Sequence, residues 1–282
     1  MRFYIVIPAH NEVEYIEKTL LSLANQTLLP KQLAVVDDHS TDATAEVVSR
    51  YAEKYPFIRL VKTTSEDKHL PGSKVINAFY KGFDTLDDNF DIICKFDADL
   101  IFPENYLEIV AEIFKKNTKC GMAGGFCTIE KNGTWEIENL TNKDHIRGAL
   151  KAYRQECFKD IGGLKTAMGW DTADELLAQY HGWRVITESS LLVKHLKITG
   201  KSYDKTARLK QGEAFYTLRY GFWLTVIASA KLTFKKEKPF LVFDYLRGFR
   251  KARREGYEYI VSREEGKFIR AYRWRKIRQK IG

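Results

Sequence analysis

Residues 91–99 read DIICKFDAD. A short apolar run that closes on Asp97-Ala98-Asp99 has the pattern of a buried strand ending in two carboxylates, and Leu100-Ile101-Phe102-Pro103 follow at once. Asp-x-Asp by itself suits a turn, a helix cap or a metal site. The strand before it narrows the choice. It fixes the direction of both aspartates while leaving their oxygens at its end, and hard cations such as magnesium or manganese take such oxygen ligands.

The same rhythm extends upstream. Phe3 to Ile7 reads as a strand, and Glu12 to Ala24 carries Ile16, Leu20 and Leu23 at helical spacing. Gln32 to Val36 is a second strand ending in Asp37 and Asp38, after which Ser40 or Asp42 is placed to cap a helix reaching about Lys54. Phe57 to Val61, a helix from Ser73 to Phe83 and the strand from Asp91 to Lys95 continue the alternation. Short strands alternating with longer helices predict an α/β fold, a mostly parallel sheet flanked by helices. Ligands of such sheets bind beyond the carboxyl ends of the strands, so Pro8 to Glu12, Asp37 to Ser40 and Asp97 to Asp99 should converge on one mouth.

Beyond residue 120 the pattern loosens. Met122 to Ile129 reads as a strand, Lys131-Asn132-Gly133 as a turn, and Gly162-Gly163 lead into WDTADELLAQYHGW, residues 170–183, with Ala173, Leu176, Leu177 and Tyr180 at helical spacing. Asp171 is placed to cap that helix, and Asp174 lies three residues on.

Composition bounds the function. With 44% apolar and 29% charged residues, the 282-residue chain has the make-up of a folded protein. Its N-terminus, MRFYIVIPAH, reads as a first buried strand rather than a signal peptide. Cys94, Cys120, Cys127 and Cys157 are too widely spaced for a zinc-ligand pair or a redox motif, and are expected to be small buried side chains in a reducing cytosol. No Gly-x-Gly-x-x-Gly follows the first strand, and no phosphate-binding P-loop is present.

The net charge of +9 is uneven: from Lys231 onward 17 Lys and Arg face 6 Asp and Glu, a balance of +11, which leaves about −2 for residues 1–230. The apolar run YGFWLTVIASA, residues 220–230, is too short for an ordinary membrane span. It suits either a core helix or, with the basic and aromatic residues after it, a surface lying on an anionic leaflet, where each basic residue adds roughly 1 kcal/mol. A nucleic-acid or anionic-surface binding protein is therefore one alternative, although no compact nucleic-acid motif appears. A sugar nucleotidyltransferase is another, weakened because IPAHNE lacks the glycines of a triphosphate loop.

Taken together, YIVIPAHNE, AVVDDHSTDAT, PGSKVINAFYKGF, FDAD, the Gly162-Gly163 pair and DTADELLAQYHGW resemble the inverting nucleotide-sugar glycosyltransferases of family 2, which have the GT-A fold. The resemblance covers roughly residues 1 to 200. It implies a catalytic domain over 1–205, with a nucleotide half to about residue 100 and an acceptor half after it, followed by a basic, aromatic-rich helical extension over 206–282. It implies that Pro8, Ala9, Asn11 and Glu12 lie beside the nucleotide, that Asp37 and Asp38 hold the base or ribose, and that Lys74 and Asn77 approach the nucleotide or diphosphate. A carboxylate suits the N–H face of uracil, thymine or guanine alike, so UDP-, GDP- and dTDP-sugars all remain candidate donors.

The resemblance further implies that Asp99 ligates Mn2+ or Mg2+, that Asp97 contacts ribose or metal-bound water, and that His195 joins the metal or the diphosphate, with Lys197 nearby. The base corresponds to Asp171, eleven residues before Gly182-Trp183, although Trp170 stands where the family usually has glutamate; that departure keeps Asp174 as a second candidate. Trp135, Trp170 and Trp183 are candidate sugar-stacking surfaces, and His69 reads as a loop residue. The expected partners are a nucleotide-sugar, a glycan or lipid-linked acceptor and an anionic membrane surface, with no nucleic acid. The implied setting is cell-surface polysaccharide or lipopolysaccharide synthesis at the cytosolic face of a membrane.

Overall fold

The computed structural model describes residues 1–63, 73–138, 144–197 and 205–281; His69 and the Pro71-Gly72 start of one motif lie outside them. Two compact units are present. Among the described residues the first comprises 1–63, 74–138, 144–164 and 181–197, and the second 73, 165–180 and 205–281.

The first unit opens with β1 (Phe3–Ala9), α1 (Ile16–Ala24), β2 (Gln32–Asp38), α2 (Thr44–Lys54), β3 (Ile58–Thr63), α3 (Ser73–Phe83) and β4 (Ile92–Phe96). β1, β2 and β4 are buried along almost their whole length, as expected of strands covered on both faces. They lie in the order β3-β2-β1-β4, all parallel, with Ala9 opposite Asp37 and Asp38 opposite Thr63. Helix α1 begins at Ile16, four residues later than the sequence pattern suggested, because residues 10–13 are tied to the loop after β2 instead. Of the two proposed caps of α2, Asp42 meets the helix: Ala43 precedes its first residue, but Asp42 Oδ1 accepts the Thr44 N–H at 3.0 Å, whereas the Ser40 hydroxyl accepts from the Asn11 amide at 2.9 Å.

The sheet then turns mixed. After β5 (Leu100–Ile101) and α4 (Tyr106–Lys116) come β6 (Cys120–Lys131), its hairpin partner β7 (Thr134–Ile137), β8 (Leu150–Arg154) and α5 (Gln155–Asp160). α6 (Trp170–Tyr180) belongs to the second unit, and β9 (Arg184–His195) completes the sheet. β8 runs antiparallel to β4 and β6, whereas β9 runs parallel to β6 and antiparallel to β5. A register shift between Gly124 and Phe126 lets β9 cross close to β6, and a Cβ on Gly125 would lie 2.2 Å from the Leu191 carbonyl oxygen. β9 therefore ends with His195 opposite Leu100, one residue past Asp99. All four cysteines are buried, as expected of small core side chains.

In the second unit α6 is followed by α7 (Lys205–Thr217), α8 (Phe222–Lys235), α9 (Leu241–Arg254) and α10 (Arg263–Ile281). α7 and α9 touch backbone to backbone. A Cβ on Gly212 would sit 1.8 Å from the Tyr245 carbonyl oxygen, and one on Gly248 1.9 Å from that of Leu209. Lys251 and Glu213 pair across the same two helices at 2.9 Å. α6 begins at Trp170, so Asp171 lies inside its first turn instead of capping it.

Candidate active site

The Asp97-Ala98-Asp99 segment is held from both sides. The Asp97 amide donates to the Ala149 carbonyl (3.0 Å) on the β8 side, and the Asp99 carbonyl accepts the Leu196 N–H (2.9 Å) after β9. From α1, the buried Thr19 hydroxyl donates to the Ala98 carbonyl at 2.7 Å and accepts the Leu100 N–H at 3.0 Å. The carboxylates are thus presented by fixed backbone on a scaffold of strands.

Three donor groups meet there. Carboxylate oxygens of Asp97 and Asp99 and an imidazole nitrogen of His195 all lie within 4.8 Å of one another. His195 Nε2 is 3.2 Å from Asp99 Oδ2, with both side chains buried. Two carboxylates and one imidazole form a set that suits Mn2+ or Mg2+, with room left for other oxygen ligands. Burial disfavours the His195 imidazolium, but Asp99, Cys127 and Glu138 outweigh it and push its pKa up to about 12. A metal would therefore compete with a proton at Nε2. Burial also opposes ionisation of Asp97, yet the Lys95 ammonium beside it holds its carboxyl below the usual range.

Several members of this site carry no motif. Lys95 is 2% exposed and pairs with Asp97 while donating to the Gly148 carbonyl at 3.2 Å. The period of two along a strand aligns positions 95, 97 and 99, which is the signal that could have found it. On the far side of His195, Nδ1 points to Glu138 Oε2 at 4.0 Å, and Glu138 pairs with Arg147 at 3.2 Å. Glu138 reaches this spot because its amide donates to the Cys127 carbonyl (2.9 Å), extending the β6–β7 ladder by one residue. Cys127, Glu138 and His195 form a second buried donor group that shares the imidazole. Glu138 is already engaged by Arg147 and stands behind His195, its Oε2 4.0 Å from Nδ1, close enough to act on the ring through its charge but beyond hydrogen-bond distance.

The first two polar clusters also join. His10 Nδ1 lies 2.7 Å from the Asp38 carbonyl, the Thr41 amide donates to Asn11 Oδ1 at 2.8 Å, and the Glu12 amide donates to Thr44 Oγ1 at 2.8 Å. Asn11 and His39 sit at φ 54° and 60°, a left-handed conformation that asparagine tolerates and that costs histidine energy. Beside them an open cleft of about 370 Å³ is lined by Asp37, His39, Ser40, Asp42, Ala45, Glu46, Lys62 and Thr63. Asp37 is 6% exposed, and its Oδ1 has no hydrogen-bond partner among the described residues. Such an oxygen is an acceptor waiting for an N–H or O–H. Lys62, from β3, was not foreseen from the sequence.

Glu12 pairs with Lys197 at 2.5 Å, and burial holds its carboxyl above the usual range in spite of that lysine. Pro8 and Ala9 close β1 beside Val36 and Asp37. Lys74 and Asn77 lie in the first two turns of α3, with Asn77 exposed. In the second unit Asp174 is 1% exposed and its Oδ1 accepts the Glu175 N–H at 2.6 Å, whereas Asp171 is partly exposed. Trp170 is 7% exposed, which leaves little of its ring open to a sugar. Trp183 donates to Asp160 at 2.8 Å, and Lys194 lies over the Trp135 ring at 5.2 Å.

The dolichyl N-acetyl-alpha-D-glucosaminyl phosphate 3-beta-D-2,3-diacetamido-2,3-dideoxy-beta-D-glucuronosyltransferase of Methanococcus voltae is 27% identical over 221 residues, covering 76% of this chain and 63% of that protein. The dolichol-phosphate mannosyltransferase of Pyrococcus furiosus is 26% identical over 201 residues, covering 70% of this chain and 54% of that protein. The chain thus spans less than two thirds of either relative. In fold it is similar to the mannosyltransferase PcManGT from Pyrobaculum calidifontis, solved with GDP-Man and Mn2+: the TM-score is 0.59 at 18% identity, over 98% of this chain and 80% of that one. The family model described as Glycosyl transferase family 2 matches residues 4–163, more than half of the chain. With both acidic clusters inside that span, on a GT-A-like sheet, the chain belongs to glycosyl transferase family 2.

Proposed function

We propose that the protein transfers a sugar from a nucleotide-sugar to a hydroxyl of a glycan or lipid-linked acceptor, with inversion at the anomeric carbon. The observation that supports this reading most is the convergence of Asp97, Asp99 and His195. These residues would hold Mn2+ or Mg2+, which when bound supplies positive charge to offset that developing on a leaving diphosphate. Asp37, with its unsatisfied buried oxygen, would accept an N–H of the base, and Asp38 would assist at the base or ribose. Pro8, Ala9, Asn11 and Glu12 would border the nucleotide, and Lys74 and Asn77 would approach its phosphates.

Asp171 is the proposed base. Its partial exposure suits a group that must receive a proton from an incoming hydroxyl, while buried Asp174 suits a structural role in α6. Attack from the face opposite the leaving nucleoside diphosphate inverts the stereochemistry in one displacement. Both relatives described above are named for a dolichol- or dolichyl-phosphate substrate. They support a lipid-linked acceptor; a role in building cell-surface polysaccharide or lipopolysaccharide at the cytosolic side of a membrane is part of our proposal.

The test is a panel of UDP-, GDP-, dTDP- and CMP-sugars with Mn2+, scored for nucleotide release and tight binding. One donor should be selected, and release should stop with EDTA and in Asp99→Ala. Asp171→Asn should keep donor binding and lose roughly 10²–10⁴-fold in kcat with an acceptor present. Absence of binding to every donor would overturn the proposal.

A further inference from the structure

Helix α8 buries a mixed face and exposes an apolar one: Leu224 is buried beside three hydroxyl residues, with Ala228 and Leu232 partly buried. Thr225, Ser229 and Thr233, spaced four apart, are buried against the rest of the unit. The two threonines satisfy their hydroxyls on their own helix, donating to the carbonyls of Gly221 (2.7 Å) and Ala230 (2.9 Å). The opposite stripe, Trp223, Ile227, Ala230 and Phe234, recurs at intervals of four, three and four and is exposed. Trp223 is 70% and Phe234 88% exposed, and Phe240 at the start of α9 is 81% exposed. Folding gains nothing from aromatic side chains left in water, so this stripe calls for another surface.

The charges beside it indicate which surface. Between Phe222 and Phe243 stand Lys231, Lys235, Lys236 and Lys238, against one acid, Glu237. We propose that this face of α8, with the start of α9, docks on the surface of an anionic lipid bilayer. Trp223, Ile227 and Phe234 would enter the headgroup–acyl boundary, and the lysines would meet headgroup phosphates. A bilayer accepts the side chains of a single convex helix without a matching groove. A nucleic acid would answer the lysines but not Ile227 and Ala230. At 14 residues α8 is about 21 Å long, short of the ~30 Å hydrocarbon core, and among the described residues no helix is long and apolar enough to cross a membrane. The helix therefore lies in the interfacial plane.

The proposal stands apart from the transferase reading: Asp99→Ala should bind vesicles as the unaltered chain does. The experiment is flotation of the full chain with vesicles of phosphatidylcholine, with and without phosphatidylglycerol. The unaltered chain should float with the anionic vesicles. Trp223→Ser with Phe234→Ser should lower partitioning roughly tenfold or more, and replacing Lys231, Lys235 and Lys238 by Gln should remove the preference for phosphatidylglycerol. Trp223→Phe keeps the apolar surface and guards against misfolding as an explanation. It should still float, while losing most quenching of tryptophan fluorescence by brominated acyl chains. No flotation of the unaltered chain, equal flotation of the double serine variant, or a self-association that this variant abolishes without vesicles would overturn the proposal.

Discussion

Replacing Asp99 by Asn separates a metal ligand from a mere partner of His195. The two side chains are 8% and 6% exposed and 3.2 Å apart. At an effective dielectric of ~20, two unit charges at that distance attract by about 5 kcal/mol. The net loss is smaller, because Glu138 remains 4.0 Å from Nδ1 and the imidazole can release its proton. A charge-assisted hydrogen bond contributes about 1.5–3 kcal/mol net, so metal-free Asp99→Asn should melt about 3–12 °C lower. Mn2+ adds the discriminating arm. At a free concentration ~100 times its Kd, it should stabilise the unaltered protein by about 2.7 kcal/mol, or about 5–11 °C. It should leave Asp99→Asn unmoved. Thermal melts at pH 7.5 with EDTA or Mn2+ measure both arms. An equal Mn2+ shift in the two proteins, or none in the unaltered one, would refute the assignment, and a drop in the metal-free melt alone would leave Asp99 as a structural partner.

Other consequences are as direct. Glu138→Gln keeps the shape behind His195 but removes its charge, and should weaken Mn2+ binding by about 10- to 100-fold in a paramagnetic resonance titration; unchanged affinity would remove Glu138 from the site. In the metal-free protein His195 keeps its proton up to about 12 while an unfolded histidine loses it near ~6.5, so the stability it contributes is full below ~6.5 and declines as pH rises through the range to 12. Urea unfolding at pH 7 and 9 should show that decline, and it should be largely absent in His195→Gln. Gly248→Ala places a methyl 1.9 Å from the Leu209 carbonyl oxygen, so α7 and α9 must separate. That strain of about 1–3 kcal/mol should exceed the helix-propensity gain of about 1 kcal/mol; a variant as stable as the parent would show that the crossing relaxes freely.

The sequence determined the parallel half of the sheet and the clusters at its mouth. β1, β2 and β4 are largely apolar, buried runs and β3 is the half-exposed edge strand, separated by helices of regular periodicity, and parallel strands so built place Glu12, Asp37 and Asp97 on one edge whatever follows. Ser40 does not cap α2 because its hydroxyl is taken by the Asn11 amide, whereas Asp42 meets the first amide of that helix, and Asp171 lies one residue inside α6 because the helix starts at Trp170. Only the tertiary structure decided what stands behind the carboxylates. Lys95 is visible as a period-two neighbour once its strand is known, but Glu138 and Arg147 reach His195 through the β6–β7 hairpin and the loop before β8. His195 reaches Asp99 because the glycines of β6 let β9 cross close and end opposite Leu100. Likewise, the composition of α8 announced an apolar helix, while its packing decided that the threonines face inward and the aromatics outward. Local periodicity records which residues can be buried. Which partner buries them is settled by contacts between segments far apart in the chain.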